Sequence, residues 1–243
     1  YHTAWLKAHH CAAFMAATLS SDMDVTDTVK IFHDDAINNG LRILGPDVNA
    51  SEYRFIPVDR RTVRYGLGAV KGTGEQAVTA ILKARSAAGA FRDLFDFCRR
   101  VDKRLVNRRT IEALIRAGAF DSLDSHRARL LASVGIAMEA AEQAERNAMQ
   151  VSLFDIFEAG GEEDREHGPQ YVEVARWSER QKLNEEKLAL GFYFSGHPFH
   201  SVQAEVSRFV RTRLAALEAR KEVQWLAGLV VGVRSKLTAR GKM

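Results

Sequence analysis

The chain has 243 residues, 46% hydrophobic and 27% charged, which is ordinary for a globular protein with a core and room for more than one unit. It holds no run of about 18 apolar residues that would read as a membrane span, no leader-like start, and in Cys11 and Cys98 neither metal-ligand spacing nor a disulfide framework, so a cytoplasmic protein is expected. Its net charge of +4 is unevenly spread: residues 60–130 carry 16 Lys/Arg and 7 Asp/Glu, whereas residues 139–173 carry 2 Arg and 10 Asp/Glu. A basic block beside an acidic one points the first towards a polyanion, with an unevenly charged solvated surface as the alternative.

The opening Tyr1-His2-Thr3-Ala4-Trp5-Leu6-Lys7, which lacks an initiator Met, reads as the middle of a helix over 2–19, with Trp5, Leu6, Phe14, Met15 and Leu19 apolar. Lys7, His9 and His10 read as its solvent side. Thr26 or Asp27 is expected to cap a second helix ending at Asn39-Gly40, with Val29, Ile31, Phe32, Ala36 and Ile37 on its buried side. Short strands follow at 41–44, 53–58 and 62–67, the last two flanking the turn Asp59-Arg60-Arg61.

The next stretch carries chemistry. Lys71-Gly72-Thr73-Gly74 leads straight into a helical pattern with Ala77, Val78, Ile81 and Leu82. Glycine allows close backbone approach, and the open N–H groups of a helix start, with their partial positive charge, suit a phosphate. This is the spacing of a helix-hairpin-helix, a module that holds nucleic-acid backbone without reading bases. A plain strand-to-helix turn is the alternative. The Gly-Lys-Ser/Thr ending of a P-loop and the third glycine of a dinucleotide fingerprint are both missing.

A second such unit follows. Phe91, Leu94, Phe95 and Cys98 share a helical face, Arg99, Arg100, Lys103 and Arg104 crowd the connection, and Asn107-Arg108-Arg109-Thr110 opens a helix with Ile111, Leu114 and Ile115 inward. Gly118 ends that helix and Phe120 packs back. Two hairpins in one basic block are far more specific than one. The candidate contacts to duplex DNA are Lys71, Gly72, Thr73, Gly74, Asn107, Arg108 and Arg109.

A helix over 125–147 presents Leu130, Leu131, Val134, Met138 and Ala141 as a core stripe. Gln150-Val151-Ser152-Leu153-Phe154 follows, with the grammar of a short docking peptide: a glutamine, then an aliphatic residue and an aromatic at fixed spacing. The competing reading has Leu153, Phe154 and Phe157 close the core of the preceding helix. Residues 158–168 are acidic and Gly-bearing and read as a mobile loop. Ser178 with Gln181 makes a capping box for a helix to about Leu190. An aromatic turn at 191–198 follows, with His197 a structural residue of it, then a helix over 202–210. Residues 225–233 read as a buried strand and 234–243 as the start of its partner.

Four segments, Thr3-Ala4-Trp5-Leu6-Lys7-Ala8-His9, Tyr65-Gly66-Leu67-Gly68-Ala69-Val70-Lys71-Gly72, Asn107-Arg108-Arg109 through Gly118-Ala119-Phe120-Asp121, and Leu190-Gly191 through Ser195-Gly196-His197-Pro198, occur in an order that resembles the alpha subunits of bacterial DNA polymerase III, the C-family replicative polymerases. The resemblance covers essentially the whole chain. It implies a mainly α fold with small β parts (α+β): the end of the fingers region at 1–59, a tandem helix-hairpin-helix domain at 60–147, a sliding-clamp-binding peptide with an acidic loop at 148–176, a helical connector at 177–222, and the start of an OB-fold domain at 223–243. It further implies duplex DNA, the beta sliding clamp through Gln150, Val151, Ser152, Leu153 and Phe154, and other replisome subunits as partners. The palm aspartates that hold two Mg²⁺ ions in this family would precede Tyr1, so no catalytic residue, metal ligand or cofactor is expected within this chain, and Asp22 and Asp24 read as caps at a helix end. A near-consensus clamp peptide favours the replicative over the error-prone branch. The rival from another class, a non-enzymatic DNA- and clamp-binding adaptor, would be expected to have its own start Met and a closed β domain.

Overall fold

Two helices, not one, open the chain: α1 (His2–His9) and α2 (Cys11–Ser21) are separated at His10, whose backbone is non-helical. The computed structural model describes residues 1–154, 170–210, 212, 216–219 and 221–230, without the side chains of 149–154. The expected loop at 158–168 and the partner strand at 234–243 lie outside the described residues. The break at His10 lets α2 bury Ala12, Met15, Ala16 and Leu19, while α1 buries nothing and leaves Trp5 and Leu6 largely exposed. The Trp5 ring instead covers those of His9 and His10, at 4.6 and 5.7 Å. Lys7 pairs with Asp35 of the next helix at 2.7 Å.

Helix α3 (Thr26–Asn38) begins at Val25 with no side-chain cap, contrary to the expectation for Thr26 or Asp27. They lie one and two positions inside, where Asp27 complements the dipole of the first turn. Its buried stripe is narrower than the sequence suggests: Val29 and Ala36 are buried, but Ile31 and Ile37 face out. The small sheet against which this region packs covers one side of the helix only. Its strands are β1 (Arg42–Leu44), β2 (Ile56–Pro57) and β3 (Thr62–Arg64), in the order β1-β3-β2. β1 runs parallel to β3 with Ile43 opposite Val63, and β2 runs antiparallel to it with Pro57 opposite Val63. Proline is tolerated in β2 because β2 is an edge strand.

Helix α4 (Glu75–Ala88) follows, and α5 (Leu94–Arg100) and α6 (Arg108–Arg116) pack with the long α7 (Arg127–Phe154). The core between them is aromatic and aliphatic: Phe97 meets Phe91 and Phe120, each with ring centroids 4.9 Å apart, above fully buried Ile111, Leu114, Ile115 and Leu130. The stripe expected on α7 is the side that packs, with Leu130, Val134 and Ala141 buried. The helix starts two residues later than its reading and its backbone runs on through Phe154, past the expected end at 147 and across the whole docking peptide. Helix α8 (Glu179–Leu190) is capped by Ser178, which accepts from the Gln181 N–H at 3.2 Å, as the capping box requires.

One compact unit comprises residues Tyr1–Phe194 and a second Ser195–Met243. In the second, a 3₁₀ turn (Pro198–Ser201) and a single turn of helix, α9 (Gln203–Val206), replace the expected helix over 202–210. His197 caps the 3₁₀ turn, its Nδ1 accepting from the Phe199 N–H at 3.2 Å. Residues 225–230 form no strand, and Trp225 and Val230 are 77% and 81% exposed rather than buried. A strand needs a hydrogen-bonded neighbour, and none pairs with this segment among the described residues. The same residues include no helix long and apolar enough to cross a membrane.

Candidate nucleic-acid interface

The first hairpin is built on a buried floor. Leu67, which starts a 3₁₀ turn (Leu67–Ala69), and Val70, which follows it, are at most 1% exposed and fix the base of the loop. Thr73 closes it from within: its hydroxyl donates to the carbonyls of Leu67 (2.7 Å) and Val70 (2.5 Å), and its N–H to Val70. Thr73 therefore locks the turn and has no donor left to offer outward. Gly72 lies exposed at the tip, and Gly74 precedes α4 without any side-chain cap. The first N–H groups of α4 thus have no side-chain acceptor and are open to an outside anion. Glu75, in that first turn, is the one local charge that opposes this.

Lys71 is held from behind. Its N–H donates to the Ala189 carbonyl at 2.8 Å, and its ammonium lies over Gly191, where a Cβ would come within 2.7 Å of Nζ. Gly191 is the left-handed cap that ends α8, so Lys71 sits at the negative end of that helix dipole. No carboxylate pairs with it among the described residues.

The second hairpin hangs between buried Val101 and Val106. Its turn is closed by Asp102, whose carbonyl accepts from Leu105 (3.1 Å) and Val106 (2.8 Å) and whose Oδ1 accepts from the Arg104 N–H at 2.9 Å. Asn107 caps α6 through its Oδ1, which accepts from the Thr110 N–H at 3.0 Å, while its side-chain NH2 plays no part in the cap. Arg108 reaches Glu112 at 2.8 Å across one turn. Arg109 is exposed and without a carboxylate partner among the described residues. Arg100 is structural: it turns inward to donate to the carbonyls of Ala84, Gly89 and Ala90 and stacks over Phe91, 4.5 Å from the ring centre.

The two hairpins meet. The Thr110 hydroxyl donates to the Gly72 carbonyl at 3.3 Å, joining the tip of the first loop to the first turn of α6. Thr110 was not among the residues the sequence suggested; its only mark is the cap spacing Asn107-x-x-Thr110. Of the seven suggested residues, the structure gathers Lys71, Gly72, Gly74, Arg108 and Arg109 at one joint, while Thr73 and Asn107 serve the loops themselves.

Behind the joint lies a buried charge cluster. Arg127, 7% exposed, reaches Asp121 at 2.6 Å, Glu186 of α8 at 2.9 Å and the Arg116 carbonyl at 3.2 Å. Burial works against its charge, but the two carboxylates outweigh that and raise its pKa. Arg116 pairs with Glu185 at 2.8 Å. Two ion pairs therefore key α8 to the α6–α7 pair, and through Ala189 to the hairpin that carries Lys71.

Comparison with known proteins agrees with this geometry. A family model described as a helix-hairpin-helix motif matches residues 40–130, which contain both hairpins. The DNA polymerase III subunit alpha of Neisseria meningitidis serogroup B is 50% identical over 243 residues, all of this chain. The subunits of that name from Escherichia coli K12 and Pseudomonas aeruginosa are 42% and 41% identical over 99% of it. Over essentially its whole length the chain is similar to one segment of DNA polymerase III alpha subunits. It spans about a fifth of the length of these relatives, 21% of the Neisseria and Escherichia proteins and 22% of the Pseudomonas one. Within this chain, the motif match begins before the small sheet and ends at the start of α7.

Proposed function

We propose that this chain is the part of a DNA polymerase III alpha subunit that grips duplex DNA by its backbone and hands it to the sliding clamp. The observation that carries the first half is the joint at Thr110 and Gly72, which sets the uncapped start of α4 beside two exposed cations without carboxylate partners, Lys71 and Arg109. Open N–H groups bind one phosphate, the cations neutralise others, and none of these contacts distinguishes one base from another. Binding releases counterions, so it weakens steeply with salt. Lys71→Glu with Arg109→Glu should lower affinity alike for duplexes of unrelated sequence, read by fluorescence anisotropy at 50–200 mM salt, a range over which a phosphate-bound complex loses affinity by orders of magnitude. Unchanged binding at the low end of that range refutes the assignment.

The second half rests on Gln150, Val151, Ser152, Leu153 and Phe154, which end α7 in the backbone and whose side chains lie outside the described residues. In this reading Gln150 hydrogen-bonds at the mouth of a groove on the beta sliding clamp, and Leu153 and Phe154 anchor in apolar pockets. A modest affinity suffices, because tethering raises the local concentration of the polymerase at the primer end. Leu153→Ala with Phe154→Ala should abolish clamp binding and leave duplex affinity intact; a titration with unchanged clamp affinity refutes it.

For the whole protein we propose Mg²⁺-dependent, template-directed nucleotidyl transfer in DNA replication, with the other replisome subunits as partners. The metal ligands would lie outside this sequence. Among the described residues no three His, Cys, Asp or Glu side chains are grouped so as to hold a metal ion, and no step of that chemistry is assigned to them.

A further inference from the structure

A groove of about 1220 Å³ runs beside the joint, between α4, the second hairpin and α7. Its buried floor is small, Ala80 from α4 and Ala141 from α7, with Ala84, Ala87 and Ala144 beside it. Its α4 wall is Gln76, Thr79 and Lys83, one face of that helix, beginning in the turn whose N–H groups are open. Its hairpin wall is Arg99 to Leu105.

The charges are arranged in a telling way. Five basic and three acidic side chains line the groove. Glu145 is neutralised by Lys103 at 2.9 Å, and Glu142 by Arg146 at 3.5 Å. Arg100 is committed to the core. Arg99 reaches only Asp96, at 3.7 Å, a carboxylate that Arg92 and Arg100 also share. Lys83 and Arg104 are exposed and have no carboxylate partner among the described residues. Asp102, the third carboxylate, accepts from the Arg104 N–H and has no cation partner among the described residues, so it stands against Lys83, Arg104 and the loosely held Arg99, and the groove stays net positive although the helix on one side of it is acidic.

We infer that this groove seats one sugar-phosphate strand of the duplex where it leaves the hairpin joint, with Lys83, Arg99 and Arg104 contacting successive phosphates. The inference rests on the proposed DNA-binding role of the hairpins and extends it to residues outside the seven that the sequence suggested as contacts. Three observations favour a nucleic-acid strand over an acidic protein helix. The groove is continuous with the open start of α4. From Gln76 to Lys83 it follows about 10 Å of helix axis, roughly three nucleotides at about 3.4 Å of rise per strand. Its floor is alanine, which admits a backbone closely, whereas an amphipathic helix needs pockets for large apolar anchors.

The test is duplex binding by the full 243-residue chain as a function of salt. Each phosphate contact contributes about 0.9 to the slope of log affinity against log salt, so Lys83→Gln with Arg104→Gln should lower that slope by about 1.8. Arg61→Gln, which removes an exposed cation from the β2–β3 turn outside the groove, should leave it unchanged. Thermal midpoints equal to the parent establish that each variant is folded. If the groove pair is unchanged while Lys71→Glu with Arg109→Glu weakens binding, the groove assignment is overturned and the hairpin reading stands. An Arg61→Gln loss as large as that of the groove pair also overturns it, as diffuse attraction. If the parent chain does not bind duplex even at 50 mM salt, both readings fail together. A pair that loses affinity for an oligoglutamate peptide but not for DNA overturns the inference in favour of a protein partner.

Discussion

Replacing Gly118 with alanine tests the buried cluster behind the hairpins. Gly118 follows α6 with φ +85°, and its N–H and that of Ala119 satisfy the carbonyls of Ile115 and Leu114. A Cβ there would fall on the Arg127 guanidinium, 2.7 Å from its Cζ, and 3.0 Å from Asp121 Oδ2. Gly40 is the natural control: it ends α3 with φ +76° and has nothing within 4 Å of its Cβ position. Both substitutions force a left-handed alanine, at about 1–2 kcal/mol. Only Gly118→Ala also pushes Arg127 off Asp121 and Glu186. Breaking a buried ion pair costs about 3–5 kcal/mol, and Glu186, the other end of this one, is 1% exposed. Gly118→Ala should therefore lose about 4 kcal/mol or more and Gly40→Ala about 1–2, read by urea unfolding followed at 222 nm with a common slope. In a double-mutant cycle with Arg127→Met, the Gly118 penalty should shrink towards that of Gly40. If the two alanine variants differ by less than about 1 kcal/mol, the guanidinium is not wedged where the geometry puts it.

Two further predictions concern ionisable groups. Burial opposes the charge of Asp96, but the Arg92 N–H and the Arg100 side chain outweigh it, and Asp124 is held below the usual carboxylate range in the same way by Arg129 and the His126 N–H. A carboxylate whose pKa is lower folded than unfolded stabilises above the unfolded value and ceases to as pH falls through the folded one. Thermal midpoints should therefore drop below about pH 4, and Asp96→Asn should flatten part of that drop; a midpoint profile in Asp96→Asn parallel to the parent refutes it. Burial pushes the Cys98 thiol up to about 12, whereas Cys11 is only half-buried. A disulfide reagent at pH 8 should label one thiol in the native chain and both only in denaturant, and prompt native labelling of Cys98 would show that the α5 core opens.

Legibility followed sequence separation. The caps at Asn107 and Ser178 and the stops at Gly40 and Gly118 are local devices within a few residues, and the structure has each where its spacing puts it. The break at His10 and the exposure of Ile31 and Ile37 were not readable, because they depend on which side of α2 and α3 the small sheet covers. The end of α7 was missed because no proline or glycine interrupts residues 147–154, so helix propensity carries through a peptide singled out for another reason. Thr73 and Asn107 lie in the hairpins, and what the sequence did not show is that each also holds its own loop or helix start, since a polar side chain there serves the loop as readily as a ligand. The groove was invisible for a different reason: Lys83 and Arg104 lie 21 positions apart on separate elements, and only packing makes them neighbours.

The Arg127–Glu186 pair closes a stretch of 59 residues. Each hairpin, by contrast, is made of contacts only a few residues apart. Short closures are fast and long ones slow, so the hairpins and the α5–α7 core assemble first, and α8 docks afterwards onto a bundle that already exists. Until it does, Arg127 is uncompensated by Glu186 and Lys71 lacks the carbonyl of Ala189 that fixes its backbone. Completion of the basic surface should thus come late in the folding of this region, and a chain still being synthesised should not present it until Ala189, 83 residues beyond Val106, has joined.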